Sequence, residues 1–91
     1  MAAKAEISWR RLGEDGIRLQ VYARRVGREW RFFVRAGRYE QWQAQPEAPL
    51  EDWLELLDAV RRRINRRLLR PEEEARVKDS IRQRFPEAEI G

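Results

Sequence analysis

Ile17-Arg18-Leu19-Gln20-Val21-Tyr22-Ala23-Arg24 and Trp30-Arg31-Phe32-Phe33-Val34-Arg35-Ala36 decide the fold of this 91-residue chain, because both stretches alternate with a period of two. Successive side chains of a β-strand point to opposite faces, so a period of two separates two chemistries. One parity collects Ile17, Leu19, Val21 and Ala23, then Trp30, Phe32, Val34 and Ala36. The other collects Arg18, Gln20, Tyr22 and Arg24, then Arg31, Phe33 and Arg35. Folded as strands, these residues give a sheet with one apolar face and one face of arginines interleaved with aromatic rings.

Working outward, Ile7 and Trp9 begin an earlier alternation that reads as a first strand ending near Leu12. Gly13-Glu14-Asp15-Gly16 is a turn signal, with glycines free to adopt positive φ at each end. Val26-Gly27-Arg28-Glu29 forms a second turn. Gly37-Arg38 permits a third reversal into a shorter strand from Tyr39 to about Gln43. Four strands joined by short turns describe an antiparallel meander. Residues 1–5 read as a flexible lead-in, and residues 45–49, with Pro46 and Pro49, as a connector.

Pro49 suits the first position of a helix, and Glu51, Asp52 and Glu55 follow where the helix dipole favours negative charge. Leu50, Trp53, Leu54, Leu57, Val60, Ile64 and Leu68 recur at helical spacing, which predicts a helix ending near Leu69 or Arg70. Pro71 opens a second helix with Glu72, Glu73 and Glu74 in its first turn and Val77, Ile81 and Phe85 as its apolar line. Pro86 stops it. The expected fold is a single α+β domain over residues 1–91, ordered ββββαα. An antiparallel sheet (residues 6–44) is covered on one face by two C-terminal helices (residues 50–86). The expected core places Ile7, Trp9, Ile17, Leu19, Val21, Trp30, Phe32 and Val34 under Trp53, Leu54, Leu57, Val60, Ile64, Val77, Ile81 and Phe85.

Basic residues number 20, all arginine except Lys4 and Lys78, and the formal net charge is +4. The charge is segregated: +5 over residues 1–46, −5 over 47–60, +6 over 61–70 and −2 over 71–91. Such patches steer association more than net charge does. There is no Cys and no His, which removes thiolate and imidazole chemistry and the common zinc ligand sets. Ser8 and Ser80, the only serines, lie in no nucleophile motif, and the acids fall at turns and helix starts. The expectation is therefore a protein that is not an enzyme, with no cofactor and no metal. No apolar run has the length of a membrane span or the look of a signal peptide, so a cytoplasmic protein without a membrane partner is expected.

Two features point to a partner. The first is the sheet face bearing Arg18, Tyr22, Arg24, Arg31, Phe33 and Arg35. Nucleic-acid sites need cations for phosphates and flat rings for bases, and this face offers both. Its competing reading is a solvated face on which Tyr22 and Phe33 form a cross-strand pair shielded by arginine stems. Tyr39 or Trp42 extends it if the fourth strand has the right parity. The second feature is the cluster Arg61, Arg62, Arg63, Arg66, Arg67 and Arg70, of which Arg62, Arg63 and Arg66 fall opposite the apolar line. Cations at a helix C-terminus complement the dipole, and Asp58 can pair with Arg62, but these effects account for one or two arginines rather than six.

The best reading is a small non-catalytic module binding DNA or RNA with weak sequence specificity. Arg18, Arg24, Arg31 and Arg35 contact phosphates, Tyr22 and Phe33 stack or pack, and Arg62, Arg63 and Arg66 add attraction. The alternative is a protein-protein interaction or homodimer role, served by the same aromatic and arginine residues. No small-molecule substrate is expected. The order of strands and helix resembles, in topology alone, small DNA-binding domains that lay a three-stranded sheet into the major groove. No residue is carried over from that resemblance.

Overall fold

A computed structural model of the chain describes residues 6–90. Its elements run β1 (Glu6–Leu12), β2 (Arg18–Val26), β3 (Glu29–Arg35), β4 (Gln43–Ala44), α1 (Leu50–Asn65) and α2 (Glu72–Arg84). Four antiparallel strands in one sheet followed by two helices make this the expected α+β order. The lead-in expected at residues 1–5 lies outside the described residues. Two compact units are distinguished, a strand unit ending at Ala48 and a helical unit beginning at Pro49. Among the described residues no helix is long and apolar enough to cross a membrane.

The strand unit is a meander of order β1-β2-β3-β4. Leu12 pairs with Arg18 at the end of the first hairpin. Its loop is closed by bonds from the Gly13 N–H to the Ile17 carbonyl (2.8 Å) and from the Gly16 N–H to the Gly13 carbonyl (3.0 Å). Only Gly16 uses positive φ there (+80°); Gly13, expected to share that role, does not. A Cβ on Gly13 would instead meet the Asp15 carboxylate at 3.1 Å and Leu19 at 3.2 Å. The second hairpin is tighter, with Val26 opposite Glu29 across a two-residue loop. Gly27 has φ +64° and Arg28 is not in the positive-φ region, the signature of a type II′ turn whose twist matches that of the strands.

Two strand expectations are corrected. Ile17 belongs to the first turn rather than the core and is 50% exposed. Its N–H bonds the Asp15 side chain at 3.1 Å while its carbonyl closes the loop, so its backbone serves the turn. The fourth strand is not Tyr39–Gln43 but Gln43–Ala44, because the chain turns through Gly37 to Glu40, held by a bond from the Glu40 N–H to the Gly37 carbonyl (3.0 Å). Tyr39 sits in that turn, 94% exposed. Of the remaining apolar parity, Ile7, Val21, Ala23, Trp30 and Phe32 are buried and Trp9 meets Phe32 edge-on at 6.1 Å, whereas Leu19 and Val34 are half-buried and Ala36, past the end of β3, is exposed.

In the helical unit α1 buries Asp52, Trp53, Leu56, Leu57, Ala59 and Val60. The buried arc is therefore rotated from the expected one. Leu54 is 39% exposed, and Leu68, 66% exposed, lies beyond the helix. The helix stops at Asn65 because Arg67 adopts φ +61°. The Leu68 N–H bonds the Arg63 carbonyl (2.8 Å) and the Arg67 N–H bonds the Ile64 carbonyl (2.9 Å), which is the Schellman arrangement. Pro71 precedes α2, and Val77 and Ile81 are buried as read, whereas Phe85, expected in the core, is the half-buried C-cap residue beyond the last turn. Glu74 of α2 ties the helices together, accepting from Arg61 of α1 at 2.9 Å and pairing with Lys78 at 3.2 Å. Arg61 thus pairs across to α2. Arg84 stacks over Trp53 at 4.9 Å.

Two outcomes follow from the helical unit. Arg67→Gly removes the steric cost of the left-handed conformation and should raise stability by about 1 kcal/mol, read as a higher urea midpoint with unchanged slope. The Arg61 hydrogen bond, then that of Lys78, holds the Glu74 carboxyl below the usual glutamate range. A lowered acid pKa contributes stability that is present above the unfolded value and lost as pH falls through the folded one. Glu74→Gln should therefore flatten the acid limb of stability against pH, measured by thermal melts from neutral pH down to about pH 3.

Candidate nucleic-acid interface

Strand register builds the arginine face in rows. Residues paired across an antiparallel sheet share a face, and that parity places Glu6, Arg24 and Arg31 in one row. The next row is Ser8, Tyr22, Phe33 and Ala44, and the one after it Arg10, Gln20 and Arg35. Leu12 and Arg18 close the pattern at the hairpin end. All six sheet residues singled out from the sequence, Arg18, Tyr22, Arg24, Arg31, Phe33 and Arg35, therefore lie on one face.

The rings form a continuous wall across the middle of this face. Tyr22 and Phe33 stack with centroids 4.8 Å apart at an interplanar angle of 15°. Trp42, just before β4, meets Tyr22 at 4.7 Å and 86°. Trp42 thus belongs to the face, and Tyr39 remains in its exposed turn. The Arg35 guanidinium lies 4.4 Å over the Trp42 ring, and its Nε donates to the Gln20 amide oxygen at 2.7 Å. Tyr22 is stacked on one ring, abutted by another and half-buried, whereas Trp42, though Arg35 lies over its ring, retains 37% exposure.

The cations flank this wall with few counter-charges. Arg24 stands directly opposite Arg31 on one side, a like-charge pairing that costs free energy, and opposite Glu6 on the other, where the register places one counter-charge. Arg31 reaches Glu29 at 3.8 Å, but both side chains are well exposed, and such pairs contribute little. Arg10, Arg18, Arg24 and Arg38 have no carboxylate partner among the described residues. A groove of about 470 Å3 runs beside the wall, lined among others by Glu6, Ser8, Arg10, Gln20, Arg35, Arg38 and Trp42. Arg10 was readable from its parity with Ser8 in β1. Arg38 and Trp42 lie in irregular chain, where no periodicity announces a face.

The helix arginines have local roles in the helical unit. Arg62 is bonded to Asp58 one turn back. Arg63 is half-buried, on the helical line of Leu56 and Ala59, and not on the far side as expected, because the buried arc is rotated. Arg66 is the exposed C-cap residue, where its charge complements the helix dipole. Among the described residues no cluster of three or more His, Cys, Asp or Glu side chains is placed to hold a metal ion. No family model, curated protein or solved structure is significantly similar to this chain.

Proposed function

We propose that this chain is a small non-catalytic binding module that grips the backbone of a nucleic acid through the arginine face of its sheet. The observation that carries the reading is the spacing of the cations. The Arg24–Arg31 row and the Arg10–Arg35 row lie four residues apart along the strands, which is about 13 Å. A single phosphate or carboxylate satisfies one row only. A ligand that engages both must carry negative charges in series, as a nucleic acid does. The forks of arginine suit phosphate oxygens, and the aromatic wall holds the two rows apart.

In this reading Arg10, Arg18, Arg24, Arg31 and Arg35 contact phosphates, while Tyr22 and Phe33 act as the rigid wall rather than as stacking platforms. Arg62, Arg63 and Arg66 contribute only diffuse attraction. Contacts to phosphate carry no sequence information, so specificity is weak.

The test is an anisotropy titration of labelled DNA and RNA oligomers over a range of salt. Binding at low salt should weaken linearly in log salt, and reversal of Arg24 and Arg31 to Glu should lower affinity at least tenfold and reduce the slope by about two. Absence of binding at low salt overturns the proposal and leaves an acidic protein surface as the partner to seek.

A further inference from the structure

Resting on that reading, we infer that the groove beside the aromatic wall seats one unpaired nucleotide, so that the module prefers single-stranded to duplex nucleic acid. The groove volume, about 470 Å3, falls in the range of sites that enclose small ligands. Its chemistry is that of one nucleotide. Arg10 and Arg38 line it without carboxylate partners and offer their forks to a phosphate. The guanidinium of Arg35, layered on the Trp42 ring, and the part of Trp42 that stays exposed supply the flat surface on which a base stacks.

Gln20 adds a directional element. Arginine can only donate, so the bond from Arg35 Nε fixes the Gln20 amide oxygen toward it. The amide NH2 of Gln20 is left as a donor at the groove, where it meets the acceptor atoms of a base edge. The groove therefore presents donors to phosphate and base acceptors, with Glu6 as its one carboxylate. A base paired inside a duplex has its Watson–Crick edge occupied and its faces stacked on neighbours. Only an unpaired base can enter.

The experiment compares a labelled twelve-residue oligo(dT) with the matching dA·dT duplex, both titrated against the full chain at one salt concentration. The single strand should bind at least tenfold more tightly. Trp42→Ala should erase about tenfold of that preference, the scale of one lost stacking contact, and Trp42→Phe should restore most of it. Tyr39→Ala, in the exposed turn outside the groove, should leave the preference intact. Arg38→Ala, on a turn residue where folding is not at risk, should also reduce it. Duplex binding as tight as single-strand binding, with both lost on reversal of Arg24 and Arg31, overturns this inference and leaves the backbone-binding reading standing. Binding to neither probe overturns both. Displacement of oligo(dT) by free dTMP at equal concentration makes the ligand a mononucleotide and overturns the strand-binding form.

Discussion

The pairing of Tyr22 with Phe33 across β2 and β3 is the constraint on which the strand unit depends. It is set by the two-residue turn at Gly27-Arg28, where positive φ at Gly27 allows the strands to return with matched twist. A slip of one residue would send every side chain of a strand to the other face. Either Val21 and Ala23 of β2 or Trp30 and Phe32 of β3 would then leave the buried side, and that strand's arginines would enter it. Burial of large apolar groups at about 1.5–3 kcal/mol each makes that slip unaffordable, so one tight turn fixes both the core and the cationic face.

The two-residue period made most of this face legible, because parity alone assigns Arg18, Tyr22, Arg24, Arg31, Phe33 and Arg35 together. Regular structure is also why β1 to β3 and α2 appear close to where they were expected. The failures fall where local pattern and conformation part company. Trp42 reaches the face through a loop whose path is set by the turn at Gly37 to Glu40, which no alternation encodes. In α1 the buried carboxylate of Asp52 masks the true phase, since a charged residue at a buried position subtracts from the apolar signal. The end of α1 was invisible for a related reason: Arg67 takes a conformation that glycine usually marks.

The composition of the face decides what it can hold. Lysines would place mobile point charges on flexible stems, whereas arginine forks can lie against rings and still donate, as Arg35 does to Gln20 while stacked on Trp42. The wall of Phe33, Tyr22 and Trp42 makes the separation of the two cationic rows a property of the fold rather than of side-chain motion. Under the proposed reading, such a fixed separation would discriminate by charge spacing and suit a partner with repeated charges and a variable sequence.

That arrangement carries a local conflict. Arg24 opposite Arg31 opposes folding by up to about 1 kcal/mol, and nothing in the hairpin requires both. The neighbouring Tyr22–Phe33 stack contributes about 0.5–1.5 kcal/mol beyond its burial, and Arg35 over Trp42 adds about 0.5–1 kcal/mol. The Tyr22–Phe33 stack, one row along the same two strands, is therefore by itself of the size needed to hold the repelling arginines in register. Sequences are locally consistent where only folding is at stake, and departures from that consistency gather at functional sites. An opposed arginine pair steadied by an adjacent ring stack is a local departure of that kind, and under the proposed reading a phosphate bridging Arg24 and Arg31 would turn their repulsion into attraction for it.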